Sequence, residues 1–266
     1  MRRVIVCAML AALVLGAGAG RSEAAVVPVR YVEGVTHGFL TLRSQAGEIL
    51  AEGDLLQVVR PEGVDSRVVF HFRDGSLHDE TVVFSQQRVF SMLSYRLVQR
   101  GPIFPDELDV RVEREGGRYE VRSRRHDGGE ETARGEMTLP PDVYNGMQIV
   151  LLKNLAKDAG ETAQVLAFTP KPTLVALELT PIGRETALAE DRRIPVTHYV
   201  LKPKLGVIKG ALAALIGKKP ADYHCWIATS SVPAFVSIEG PLYVGGPIWR
   251  IETTSPRGPG RPTSRR

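Results

Sequence analysis

Two histidines and a glutamate carry the most pointed chemistry in the chain. Asp74-Gly75 stands between two runs that alternate apolar and polar residues, the strongest short-range signal for a β-hairpin closed by a two-residue type I′ turn. That register pairs Arg73 with Ser76, Phe72 with Leu77 and His71 with His78, and directly opposed residues share one face of a sheet. Glu80, two residues beyond His78, falls on the same face. Two imidazoles and a carboxylate within reach suit a divalent transition metal. The competing reading turns Phe70, Phe72 and Leu77 to the core and leaves the histidines in solvent without a metal. A slip of one residue in register separates the pair altogether.

Elsewhere the chemistry thins out. In His224-Cys225-Trp226 the histidine and cysteine are strand neighbours that point to opposite faces, so His224 cannot activate Cys225. A buried cysteine packing as a small hydrophobe is the better account. The sequence has no Gly-x-Ser-x-Gly elbow, no phosphate-binding glycine loop and no Cys-x-x-Cys, so no catalytic residue and no cofactor is assigned. Asp79-Glu80 and Glu130-Glu131 are adjacent carboxylates, which face apart on a strand and do no joint acid–base work. Glu130-Glu131 reads as part of a charged turn, and Arg122-Ser123-Arg124-Arg125 as a solvated hairpin tip.

Four aromatics crowd the C-terminal part: Trp226, Phe235, Tyr243 and Trp249. In a chain with only 6% aromatic residues, that concentration fits the mouth of a ligand pocket, since aromatic rings give large contact area. It also fits an ordinary core cluster.

The elements that must position these groups are strands. Short alternating runs recur from Leu55–Arg60 to Ile248–Thr253, separated by Gly, Pro and Asp turns, which predicts about a dozen antiparallel strands. A single sheet that long curls, closes or splits. The fold class is therefore mainly β: one strongly curved antiparallel sheet or half-barrel. Two segments depart from the alternation. Pro140-Pro141-Asp142 opens a stretch with Val143, Met147, Val150, Leu151 and Leu155 at helical spacing, predicting a packed helix over about 141–157 that fills the concave face. Gly206 to Lys219 is apolar and tipped by two lysines, predicting a short helix over about 206–217, a lid or a packed segment too short to span a bilayer.

The ends are of another kind. Arg2-Arg3, an apolar run from Val4 to Leu15 and the small-x-small ending Ser22-Glu23-Ala24 before Ala25 make a secretory signal peptide over 1–24, cut between Ala24 and Ala25. The tail 255–266 is Arg, Pro, Gly, Ser and Thr, which cannot build a core and reads as disordered. The whole chain has 34 basic and 30 acidic residues. Without the leader's three arginines and one glutamate and the tail's four arginines, the body keeps 27 basic against 29 acidic. The basic balance thus belongs to the ends, and no nucleic-acid footprint is expected on the body. With Cys7 removed only Cys225 remains, which excludes an internal disulfide. A single β-rich domain over 25–254, exported to the periplasm or beyond, is expected, with no transmembrane span after cleavage.

Four phrases carry a resemblance. They are Asp74-Gly75-Ser76-Leu77-His78-Asp79-Glu80, Val98-Gln99-Arg100-Gly101-Pro102, Leu139-Pro140-Pro141-Asp142 and the run from Gly240 to Arg250. Together they resemble uncharacterised exported bacterial proteins. The closing strands, with Trp226 and then Pro233-Ala234-Phe235-Val236, are similar to a domain of unknown function found in periplasmic proteins. The resemblance covers most of the body. It implies a curved, barrel-like β fold, similar in shape only to lipoprotein-carrier domains. The function expected is a non-catalytic binding or carrier protein for an apolar or amphipathic ligand. The alternatives are an envelope scaffolding protein without a small ligand, whose partner is an envelope protein, and a metal enzyme built on His71, His78 and Glu80.

Overall fold

Alternation of apolar and polar residues dominates the described chain, and strands dominate its fold. The computed structural model describes residues 26–156, 159–169, 171–189, 192–204 and 220–254. The signal segment 1–24 with its Ala24–Ala25 junction, the apolar segment 206–217 and the tail 255–266 lie outside the described residues.

The first eight strands are β1 (Thr36–Arg43), β2 (Ile49–Arg60), β3 (Gly63–Phe72), β4 (Leu77–Gln86), β5 (Phe90–Arg100), β6 (Asp106–Glu113), β7 (Arg118–Arg125) and β8 (Glu130–Glu136). After the short α-helix α1 (Gln148–Asn154) come β9 (Glu161–Thr169), β10 (Lys171–Ala189), β11 (Arg192–Lys204), β12 (Tyr223–Ala228), β13 (Ala234–Gly240) and β14 (Trp249–Thr254). All fourteen form one antiparallel sheet in the order β8-β7-β6-β5-β4-β3-β2-β1-β14-β13-β12-β11-β10-β9. It is a curled, unclosed sheet whose first and last strands meet in the middle and whose free edges are β8 and β9.

Two strands exceed the expected dozen, β1 and β8. In β8, Glu130-Glu131-Thr132-Ala133-Arg134-Gly135-Glu136 is almost wholly exposed, so it carries no apolar alternation to read. Its charges also suit an edge strand, where they discourage pairing with another chain.

Part of the β9 edge is covered by the segment that leads from β8 to α1. Tyr144 N–H donates to the Gln164 carbonyl at 2.9 Å, and Gln164 N–H donates to the Asp142 carbonyl at 2.9 Å. The Asn145 amide then pairs with Leu166, two residues further along β9, donating to its carbonyl at 2.9 Å and accepting from its N–H at 2.8 Å. A free edge would leave these groups unpaired. Arg114, in the turn between β6 and β7, pins the same connection by donating to the carbonyls of Leu139, Pro140 and Val143.

The helix is shorter than the apolar spacing predicts: Gln148–Asn154 rather than 141–157. Residues 142–145 are spent on the β9 edge, and Gly146 has φ +71° with Val82 only 3.2 Å from where a Cβ would sit. No helix runs through such a residue without interruption. Val143, Met147, Val150, Leu151 and Leu155 are nonetheless all buried. Asn154, fully buried, ties the end of α1 to the N-terminal segment by accepting from the N–H groups of Arg30 and Tyr31 at 2.8 and 2.7 Å.

The concave face holds two apolar clusters. The larger gathers Val64, Val82, Phe84, Phe90 and Met92 with Tyr144, Met147 and Leu151 of the connection. The smaller gathers Leu40, Leu42, Phe70, Phe72, Phe104 and Trp249. Rings lie flat where glycines leave space: a Cβ on Gly53 would fall 2.5 Å from the Phe70 ring, and one on Gly240 would fall 2.1 Å from that of Tyr223.

Candidate functional site

The Asp74-Gly75 hairpin is present, but its register is not the one the dipeptide predicts. Gly75 takes φ +86°. Its N–H donates to the Phe72 carbonyl, and Phe72 N–H donates to Ser76, which makes a three-residue loop of a type I turn followed by a left-handed glycine. Asp74 Oδ1 accepts from Ser76 N–H at 2.9 Å and favours this form. The extra loop residue moves every pair by one: His71 stands opposite Leu77, and His78 opposite Phe70. His71 is exposed on the convex side, while His78 is buried in the concave one. The expected trio of His71, His78 and Glu80 is therefore not assembled. Among the described residues no three His, Cys, Asp or Glu side chains gather to hold a metal.

His78 and Glu80 do share the interior. Gln99 Nε2 donates to His78 Nδ1 at 3.1 Å and to the Leu242 carbonyl at 2.8 Å, so the neutral ring keeps its proton on Nε2. Burial pushes the His78 pKa down to about 4, because a charged ring is costly away from water. Glu80 accepts from the Tyr95 hydroxyl at 2.8 Å. Burial raises its pKa, and the Tyr95 bond opposes that shift. Tyr223 lies close enough to feel that carboxyl, and its pKa is pushed up to about 12 by burial first and the Glu80 charge second.

Around Glu80 runs a belt of inward-facing but only half-buried side chains. Leu55 pairs with Val68 and Val68 with Glu80 in one cross-strand row. Ile238 pairs with Ile251 on another wall. Phe235 touches both clusters, and Tyr223 lies over Gly240. All these residues keep partial exposure, although their strand positions turn them inward.

The four C-terminal aromatics separate. Trp249 is buried, with Tyr243 edge-on at 6.1 Å and Phe72 at 5.7 Å. Phe235 is in the belt. Trp226 stands on the opposite, convex face, because it precedes inward Ile227 and follows inward Cys225 on one strand. Cys225 is buried, and burial raises its thiol pKa far above the usual range.

On the convex face Trp226 belongs to a cluster the sequence does not signal. His198 Nδ1 lies 2.7 Å from Glu185 Oε1, its Nε2 lies 3.0 Å from His224 Nδ1, and Trp226 Nε1 donates to Glu185 Oε2 at 2.8 Å. The His198 ring stacks on Trp226 with centroids 4.3 Å apart. Three strands contribute, brought together by the pairs His198–Trp226 and Val200–His224 and by a β-bulge after Pro181 that shifts Glu185 into reach. No local motif marks residues that meet only through register. His224 also lines an open depression of about 450 Å³ with Gln45, Pro220, Ala221, Asp222, Glu239 and Ile248. A second depression of about 460 Å³ lies between the β6–β7 turn and the end of β8, by Arg114, Gly117 and Met137.

No protein-family model and no curated protein matches this chain. Among solved structures, the chain is similar to a β-barrel-like protein of the domain of unknown function DUF1849 from Brucella abortus, at 10% identity. The similarity covers 84% of this chain and 97% of that one, with a TM-score of 0.45.

Proposed function

We propose that this chain is an exported, non-catalytic binding or carrier protein of the cell envelope, whose ligand is an amphipathic molecule seated in the concave face. One observation carries the reading: inward-facing apolar side chains at Leu55, Val68, Phe235, Ile238 and Ile251 stay half-buried between two packed clusters. A side chain turned into a core and still reachable lines space, and apolar lining with few polar groups is what small-ligand sites offer. Glu80, Tyr95 and Tyr223 supply those polar groups at one wall. The carboxyl and the two phenol hydroxyls suit a hydroxyl-rich head group.

Organic extraction of the protein purified from its native host, followed by mass spectrometry, tests the reading. A co-purifying amphiphile, lost when Val68→Trp fills the belt, is the expected result. Folded protein that yields none, and binds none of a panel of long-chain alcohols and monoacylglycerols, overturns it. The close contacts of Phe70 on Gly53 and Tyr223 on Gly240 favour the second reading, an envelope scaffolding protein without a small ligand. Crosslinking in intact envelopes, with one stable protein partner recovered, would decide for it.

A further inference from the structure

The convex cluster is independent of the ligand reading above and has a chemistry of its own. Glu185 is half exposed, and its carboxyl is held below the usual range by the Trp226 indole first and His198 second. A carboxylate only accepts hydrogen bonds, so both groups facing it must donate. His198 therefore carries its proton on Nδ1. In the neutral ring this leaves Nε2 bare, and the only way to satisfy the 3.0 Å contact is for His224 Nδ1 to donate to it. The proton on His224 is then on Nδ1, and its Nε2 is bare as well. Glu185 thus sets the tautomer of two rings in series, the second through the first.

We propose that Glu185, His198 and His224 form a one-proton relay whose outer end, Nε2 of His224, is a hydrogen-bond acceptor in the neutral protein and a donor once the relay is protonated. A proton arriving at His224 Nε2 makes an N–H bond there. The Nδ1–H bond of His224 breaks as its proton passes to His198 Nε2. One proton enters, and one positive charge rests on His198, beside the Glu185 carboxylate and over the face of Trp226, where a cation is favoured. His224 ends neutral with its tautomer reversed. A second proton would leave two donors facing each other and break the link.

Two further charged groups lie beside His224: Asp222, which shares its depression, and Glu239, its cross-strand neighbour on β13. Glu239 is held at 2.8 Å by Arg250 of β14. In the neutral state the depression therefore offers acceptors to an incoming N–H or O–H group, and protonation withdraws the central one.

Histidine tautomers are read directly from long-range ¹H–¹⁵N spectra of labelled protein, recorded from about pH 9 downward. At the alkaline end both rings should show a protonated Nδ1 and a bare Nε2, with a scalar coupling across the His224–His198 bond. After the first proton, His198 should show two protonated nitrogens and His224 a bare Nδ1. In Glu185→Gln the first proton should reside on His224 instead, since the carboxylate that holds it on His198 is gone. A neutral His224 with its proton on Nε2, or two rings that titrate with no tautomer reversal, overturns the relay. An unchanged proton position in Glu185→Gln removes Glu185 from it.

Discussion

His78 and Glu80 sit two residues apart on β4 and face the same interior, and burial drives both toward their neutral forms. The consequences for stability have opposite signs. A histidine whose pKa falls from 6.5 to about 4 on folding is protonated first in the unfolded chain, so stability falls as pH drops through that window. The difference amounts to about 3 kcal/mol. Urea denaturation between pH 7 and 4 should show that loss in the natural protein. It should be largely absent in His78→Phe, which starts lower because Gln99 loses a partner. Glu80, with its pKa raised, contributes stability that is present below the ordinary carboxyl range and lost as pH rises through its folded value. Glu80→Gln keeps an acceptor for Tyr95 and should melt at a higher temperature than the natural protein at pH 8, with no difference at pH 4. Cys225, fully buried with a raised thiol pKa, should resist alkylation in the folded protein and react stoichiometrically in denaturant. At this scale the sequence was informative about direction only where periodicity applied. Period two correctly parts Asp79 from Glu80 and Cys225 from His224, but it is silent on Glu185 meeting His198, because nothing in either strand's residues states their register.

Strand pairs and their turns show where local rules yield to geometry. Asp74-Gly75 marks a turn, and a turn is there, yet the Asp74 side chain bonded to Ser76 N–H selects the three-residue form. One residue of loop decides which histidine is inside. Likewise the 141–157 spacing marks buried residues faithfully, while the backbone of its first turn is diverted to β9 by Asp142, Tyr144 and Asn145. Asn145→Ala removes both bonds to Leu166 and should cost about 1–3 kcal/mol. Amide exchange at Leu166 should accelerate more than exchange in β3 or β4. Glycines divide in the same way. Gly53→Ala thrusts a Cβ within 2.5 Å of both the Phe70 ring and the Val69 carbonyl, an overpacking that should cost about 1–3 kcal/mol. At Gly75 a Cβ meets nothing within 4 Å, so Gly75→Ala should cost only the left-handed backbone strain, about 1 kcal/mol. Denaturant midpoints of the two variants compare overpacking with backbone strain directly.

Across the whole molecule, alternation and turn residues sufficed to predict one curved antiparallel sheet, since a dozen strands with short turns have few other ways to pair. They could not predict which strands lie at the edges, because that depends on the single pair formed by the chain's first and last strands. β1 runs beside β14, with Phe39 opposite Thr254, whereas every other pair in the sheet joins strands consecutive in sequence. The kinetics of folding should bear the mark of that one contact. Two meanders, β1–β8 and β9–β14, are each built from neighbours and can form quickly. Joining them requires the most distant segments of the chain to find each other, the kind of contact that slows folding most. During synthesis β1 is made before the other strands and acquires its second neighbour last. A chain ending at residue 240 would never supply that neighbour and should expose β1 and β13 as bare edges, prone to aggregate.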